Sequence, residues 1–292
     1  MSKVKHAVIL MAGKGTRFLP ATKAMAKELF PVGNKPALLY HLQECLESGI
    51  EEVTIVISKQ KKDVIKFLKP DKKLEELIKG TSKEKLLEEW KRIVTGLKIN
   101  FVYQGKMNGS GGAVYSTRKF TKGQPFIVIF GDDVIIPKDG GQHATKQLID
   151  IHEKTGKYVM GALKVSDDVV DRYGMAVPGE RVDDKVLHIH GFVEKPKKGE
   201  QPSNLATMAR YVVTPEVYDN ILKLDKKDNS EVHLPQAVML EADKNKVLAC
   251  EFDATYHDLG NKLEFIKCTI AEGLKDPSIG KDLKEYLKNI EL

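Results

Sequence analysis

The sequence predicts an α/β protein in which a sheet carries helices on both faces. Three observations lead there: apolar runs of strand length recur along the chain, helical periodicity fills the stretches between them, and 292 residues at 41% hydrophobic and 30% charged suffice to bury a large core. Residues 7–12 (Ala-Val-Ile-Leu-Met-Ala), 53–57, 99–103 and 126–130 read as buried strands. Between the first two, Pro36 suits the first turn of a helix. Leu38, Leu39, Leu42, Cys45 and Leu46 repeat at spacings of three and four, and Gly49 ends it. The result is a β-α-β unit, whose crossover is almost always right-handed.

Residues 61–95 are Lys/Glu-rich and helical, broken near Pro70 and Gly80, and are expected as a helical insertion packed on the sheet edge. A helix around 142–154 leads to a strand at 158–165. Strands at 186–193, 206–213 and 247–252 then alternate with helices at 215–223 and 231–243. Two helices, 261–273 and 280–290, close the chain. No repeat or low-complexity linker interrupts it. The expected partition is one domain over residues 1–260, with 261–292 as a helical tail whose apolar stripe serves packing or oligomerisation.

Composition narrows the function classes. No stretch approaches the roughly 18 apolar residues of a membrane span, and residues 1–6 run into a strand-like segment without a signal-peptide core. A cytoplasmic, non-membrane protein is expected. Cys45, Cys250 and Cys268 lack zinc or redox spacing and are read as buried thiols. Lys+Arg 47 against Asp+Glu 41 gives +6, but only six of the 47 are arginine. The lysines interleave with acids, as in Asp71, Lys72, Lys73, Glu75 and Glu76, which is how a solvated helix looks. No element concentrates arginine beside aromatics as a duplex reader would, so nucleic acid is not an expected partner, whereas a small, highly anionic ligand is.

The first strand ends in Ala12-Gly13-Lys14-Gly15-Thr16-Arg17, where glycines let backbone N–H groups approach phosphate oxygens or simply form a turn. Phe18 stands where the dinucleotide fingerprint needs a third glycine, and P-loop spacing is absent. Lys23 and Lys27 follow closely behind Arg17, and three cations beside such a loop suit a triphosphate. Asp132 and Asp133 follow the strand 126–130, where ligands bind in open α/β sheets. Helix capping and metal binding are equally open to that pair, with Asp258 a second carboxylate source.

The run Gly13-x-Gly15-Thr16-Arg17, then Pro20-Ala21-Thr22-Lys23-Ala24-Met25-x-Lys27-Glu28, resembles the signature of bacterial UTP–glucose-1-phosphate uridylyltransferases (UDP-glucose pyrophosphorylases). The likeness continues through Gln104 with Gly109, Gly131-Asp132-Asp133, Tyr173-Gly174, Val193-Glu194-Lys195-Pro196, Pro202-Ser203-Asn204-Leu205-Ala206, Arg210-Tyr211-Val212, Glu231-Val232-His233-Leu234 and Asp258-Leu259-Gly260-Asn261. It implies the nucleotide-diphosphosugar transferase fold, a Rossmann-like mixed, mostly parallel sheet. It further implies a homodimer or homotetramer and Mg²⁺-dependent transfer of a uridylyl group from UTP to glucose 1-phosphate. On this resemblance Arg17, Lys27 and Lys195 are the catalytic cations. Ala12, Gly13, Gly15, Thr16, Gln104, Gly109, Gly111 and Asp132 bind the nucleotide; Tyr173, Gly174, Glu194, Lys195 and Asn204 bind the sugar; Asp132 and Asp258 hold the metal, and Asp133 is their neighbour.

The chain departs from the usual pattern at Ala26, where proline is common and whose loss is expected to loosen Lys27. It departs also at Ser110 and Gly112 (for Leu and His), Ala209 (for Gly), and Pro235 and Gln236 (for Thr and Asp). These positions leave open the same chemistry with TTP or another hexose 1-phosphate, and a weakly active sugar-nucleotide-binding paralogue. His188, His190, His233 and His257 are read as structural or surface residues.

Overall fold

The computed structural model describes residues 3–105, 108–228 and 231–290. β1 (His6–Met11) leads through three 3-10 turns to the two-residue strands β2 (Pro31–Val32) and β3 (Lys35–Pro36), then α1 (Ala37–Glu47) and β4 (Glu52–Ile57). Next come α2 (Lys62–Phe67), α3 (Lys72–Ile78), α4 (Lys85–Thr95), β5 (Lys98–Tyr103), α5 (Gly109–Tyr115), β6 (Phe126–Phe130) and β7 (Asp133–Pro137). α6 (Ala144–Thr155), β8 (Tyr158–Lys164), β9 (Gly174–Arg181), β10 (Val186–Glu194) and β11 (Leu205–Val213) follow. α7 (Glu216–Asp228), α8 (Leu234–Met239), β12 (Val247–Glu251), β13 (Ala254–Asp258), α9 (Lys262–Lys275) and α10 (Gly280–Lys288) complete the chain.

The nine-stranded sheet has the order β5-β4-β1-β6-β11-β8-β12-β10-β9. β1 runs parallel to β4 and β6, β4 to β5, and β8 to β12. β11 lies antiparallel to β6 and β8, and β10 to β12 and β9. The sheet is therefore mixed as expected, with β10 and β11 running against the other strands. β1 is covered on both faces. Ala7, Ile9 and Met11 face a core shared with α1, α4 and α6 through Leu38, Ile93 and Leu148, while Val8 faces a second core with Val114, Val217, Ile221 and Val238. This is the period-two alternation that gives a strand two apolar layers to fill.

Several expectations are corrected by the pairing. Residues 61–95 are helical but form the crossover joining parallel β4 to β5, because Val64, Leu68, Ile93 and Leu97 are drawn into the first core. The segment expected as one helix over 231–243 breaks after Met239 and resumes as a 3-10 turn at Ala242–Lys244. Pro36 sits just outside α1 rather than in its first turn. β7, β9 and β13 carry no apolar run in the sequence strong enough to mark them. β7 and β13 form a separate antiparallel ladder that places Asp258 opposite Asp133.

α9 starts at Asn261, whose side-chain oxygen accepts the N–H groups of Leu263 and Glu264. The helix docks through Cys268 and Phe265 against Val32, Val134 and Leu259, and leaves Leu263 and Ile266 exposed. All three cysteines are free and buried. Among the described residues, no helix is long and apolar enough to cross a membrane.

Candidate active site

The carboxyl ends of β1 and β6 open into adjoining cavities, the position at which α/β sheets collect ligands. The first cavity, about 320 Å³, is lined by Ala12, Gly13, Lys14, Lys27, Gln104, Gly109, Ser110, Phe130 and Asp132 among others. The second, about 240 Å³, includes Arg17, Tyr173, Gly174, Glu194, Lys195, Tyr211, Tyr256 and Asp258, and shares Ser110, Phe130 and Asp132 with the first. A third, about 430 Å³, lies behind Lys27 and is cationic, with Lys14, Lys23, Lys27 and Lys61 in its wall. One loop of β1 thus touches all three.

Asp132 is fixed from several directions. The three carbonyls of Gly131-Asp132-Asp133 are each held by a different element. His41 Nε2 lies 3.2 Å from the first, Leu259 N–H donates to the second at 2.8 Å, and Arg210 Nη2 donates to the third at 3.2 Å. Arg210 is itself clamped by Glu44, with Nε to Oε1 at 3.1 Å and Nη2 to Oε2 at 2.6 Å, both side chains being buried. A fork-to-carboxylate pair of this kind fixes orientation as well as charge.

The carboxyls of the site differ in state. Burial works against ionisation of Asp132, but Lys27 Nζ at 2.9 Å outweighs it and holds the carboxyl below its usual range. Burial raises Asp258, Gly260 N–H at 2.7 Å offsets part of this, and Asp132 adds to the rise. Asp133 is pushed well up, by burial and then by Asp132, and takes the Tyr256 hydroxyl as its partner. Asp132, Asp133 and Asp258 all line the second cavity, Asp133 being the most buried of the three. Behind them Lys61 grips Glu28 at 2.7 Å on both oxygens, with burial pushing Glu28 up and Lys61 down.

Most of the sequence candidates come together here, and their surroundings show what holds each one in place. Arg17 lines the second cavity rather than the first, because its Nη1 donates to the Gly260 carbonyl at 2.9 Å. Gly15 and Thr16 form the turn behind the loop, where Thr22 Oγ1 donates to Gly15 O at 3.0 Å. The run from Gly109 forms helix α5, whose first residue lines the first cavity. Cβ atoms on Gly109 or Gly111 would meet the Val232 carbonyl at 2.4 and 2.9 Å, so these glycines admit that segment. Gln104 donates to Gly109 O at 3.2 Å. Gly174 is required by Phe192, whose ring would lie 2.1 Å from an added Cβ. Asn204 falls outside the cavities, its amide tying Val165 O at 3.1 Å to Asp167 Oδ1 at 2.6 Å.

Lys195 has φ 45, a left-handed conformation unusual for a branched-free side chain other than glycine or asparagine, and such outliers cluster at ligand sites. Its Nζ lies 3.6 Å from Glu194 in the second cavity. Of the departures, Ser110 borders both main cavities and its Oγ accepts Leu234 N–H at 2.8 Å. Ala209 and Pro235 line the second cavity, Gly112 is buried in α5, and Gln236 accepts His233 N–H at 3.4 Å. Sequence reading missed Lys14, Lys61, Phe130, Arg172 and Tyr211 as lining groups, and set aside His233, which also lines the second cavity. Tyr211 had a signal in its Arg-Tyr-Val motif, Lys14 in the glycine loop, Phe130 at the end of the strand before Asp132 and His233 in its Glu-Val-His-Leu run; Lys61 and Arg172 stand in segments whose spacing says nothing of where they point.

A family model described as "Nucleotidyl transferase" matches residues 6–272. A UTP–glucose-1-phosphate uridylyltransferase of Staphylococcus epidermidis is 38% identical over 292 residues, covering 100% of both chains. Among solved structures, a UTP-bound UGPase from Acinetobacter baumannii matches with a TM-score of 0.89 at 28% identity, covering 99% of this chain and 100% of that one. A UDP-glucose pyrophosphorylase complexed with UDP-glucose matches with a TM-score of 0.85 at 28% identity, covering 94% and 100%.

Proposed function

Because the chain belongs to the nucleotidyl transferase family, and to its uridylyltransferase branch along its full length, we propose that it transfers a uridylyl group from UTP to glucose 1-phosphate. The products are UDP-glucose and pyrophosphate. The observation that carries this reading is the meeting of two cavities at Ser110, Phe130 and Asp132. One runs to the glycine loop, the other to Glu194 and Lys195. A nucleotide in the first and a sugar phosphate in the second would bring acceptor and donor phosphates to the same wall.

The acceptor needs no general base, since a phosphate monoester with a second pKa near about 6 is mostly a dianion at neutral pH. One of its oxygens forms a bond to the α-phosphorus, and the bond to the β-phosphate oxygen breaks in line, leaving pyrophosphate with the electron pair. Catalysis is then a matter of holding anions together and stabilising the charge that moves. Lys195 is assigned to the sugar phosphate and Glu194 to the sugar hydroxyls. Lys27 is assigned to the triphosphate, with Arg17 directed at the phosphates gathered between the cavities. The cationic cavity behind Lys27 suits the departing pyrophosphate.

Asp132 and Asp258 fit Mg²⁺. Both are hard oxygen donors, they stand close enough for Asp132 to raise Asp258, and a divalent cation relieves that repulsion. Among the described residues no group of three or more His, Cys, Asp or Glu is arranged to hold a metal, so phosphate and water would supply the remaining ligands. When bound, the ion supplies charge stabilisation on the phosphates. The exposed face of α9, with Leu263 and Ile266, supports assembly into a homodimer or homotetramer.

Pyrophosphate release measured over four nucleoside triphosphates and several sugar 1-phosphates, with and without Mg²⁺, tests the reading. Turnover with UTP and glucose 1-phosphate should stand well above every other pair and require the metal. Equal or better use of TTP would overturn the nucleotide assignment.

A further inference from the structure

The turn that carries Lys27 is anchored twice to the segment between β4 and α2. Glu28 is tied to Lys61 by the buried pair already described, and Asp63, two residues further on, accepts the backbone N–H of Ala26 on Oδ2 at 2.5 Å. The other Asp63 oxygen accepts Val64 N–H at 3.0 Å, which orients the carboxylate from its own helix. The two anchors therefore bracket Lys27, whose Nζ lies 2.9 Å from Asp132. Ala26 is buried, with φ −62 and ψ 138. The φ is the one a proline ring would fix, and proline is what the family pattern commonly carries there. A proline has no N–H, so it could not make the bond to Asp63. With alanine the ring constraint is gone, and a carboxylate contacts the same backbone from outside, a restraint that the expected loosening of Lys27 leaves out of account.

We propose that Asp63 is a positioning residue for Lys27, supplying by a hydrogen bond the constraint that a proline ring would otherwise supply. The proposal rests on the reading that Lys27 meets the triphosphate of UTP. Asp63 and Lys27 line the same third cavity, but among the described residues neither a hydrogen bond nor an ion pair joins them. Asp63 acts through the Ala26 backbone, so its loss should be felt by the nucleotide and not by the sugar phosphate.

The test is a double-mutant cycle on the full chain, read as steady-state kinetics with each substrate varied in turn. Asp63→Ala should lower kcat/KM for UTP about tenfold, the scale of one charge-assisted hydrogen bond, and leave KM for glucose 1-phosphate within about twofold. Asp63→Asn, which keeps an acceptor oxygen, should stay within about threefold of wild type. Ala26→Pro alone sets its Cδ against the Asp63 carboxylate and should itself lower kcat/KM for UTP, while in that background Asp63→Ala should restore it to within about twofold of wild type. If Asp63→Ala alone fails to fold, the pair in the proline background carries the comparison. A tenfold loss that persists with proline, a loss shared equally by both substrates, or no loss at all overturns the proposal. A wild-type protein without UTP turnover would instead overturn the uridylyl-transfer reading on which it rests.

Discussion

Glu44→Gln probes how far the site depends on a charge pair inside the core. The substitution keeps side-chain volume and one acceptor oxygen, so it opens no cavity; what it removes is the charge facing Arg210. Arg210 is 0% exposed, and its remaining partners are the carbonyls of Ala209 and Asp133 at 3.2 Å. Removing one member of a buried pair costs about 3–5 kcal/mol, because the survivor stays desolvated and uncompensated. That is a large part of the about 5–15 kcal/mol typical of a folded protein. The assay is the urea midpoint at neutral pH, with turnover measured below the transition. Turnover should fall as well, since Arg210 also holds the turn carrying Asp132. A pH arm sharpens the test. Burial alone would raise Glu44, but Arg210 and its N–H bonds more than offset this and hold the carboxyl below its ordinary value. Its contribution is complete above the unfolded value of about 4.3 and is lost as pH falls through the folded one, so the variant should lose that component of acid sensitivity. A midpoint shift equivalent to less than about 1 kcal/mol, or an unchanged acid profile, would refute the reasoning.

Asp132→Asn and Lys195→Ala should each lower turnover at least about a hundredfold, the scale of one preorganised electrostatic contact, and near-normal rates in either would remove its assignment. Gly174→Ala sets a Cβ 2.1 Å from the Phe192 ring and 3.2 Å from Glu194 Oε2. It should destabilise by about 1–3 kcal/mol and raise KM for glucose 1-phosphate more than for UTP, and an unaltered sugar KM would count against Glu194 as the hydroxyl acceptor. Burial lowers His6 and His41 to about 4 each, so the unfolded chain binds more protons than the folded one between pH 4 and 6.5. Stability should fall as pH drops through that window, by up to about 3 kcal/mol per imidazole. Urea midpoints equal at pH 7 and pH 5 would contradict the burial of both rings.

The strands of the first half were legible because His6–Met11, Glu52–Ile57 and Phe126–Phe130 are covered on both faces and so carry unbroken apolar runs. β9 and β13 were not, because half of β9 is solvent-facing and β13 reads Ala-Thr-Tyr-His-Asp, which no periodicity separates from a loop. The glycines of α5 hid a helix, since its stability comes from packing against Val232 rather than from propensity. Motifs located Asp132, Lys27 and Lys195 by position along the chain. They could not say that Asn204 would turn toward Val165 and Asp167, or that Arg17 would reach for Gly260, because those orientations are set by neighbours far away in sequence. The Ala26–Asp63 bond was invisible for the same reason.

The ladder between β7 and β13 has a consequence for biosynthesis. It joins Asp133 to Asp258, while Leu259 N–H secures the Asp132 carbonyl, so contacts spanning more than a hundred residues close the carboxylate pair. Contacts of such high sequence separation carry a large loop-closure entropy and are slow to form. A nascent chain that has emerged only through β6 and β7 holds the glycine loop, the α1 crossover and the part of the first apolar core contributed by residues through β7, yet it lacks the share from α6 onward and holds half of the carboxylate pair. If Asp132 and Asp258 act together as proposed, nucleotide chemistry is withheld until β13 has been made, and a product truncated before it would carry part of a nucleotide pocket without turning UTP over.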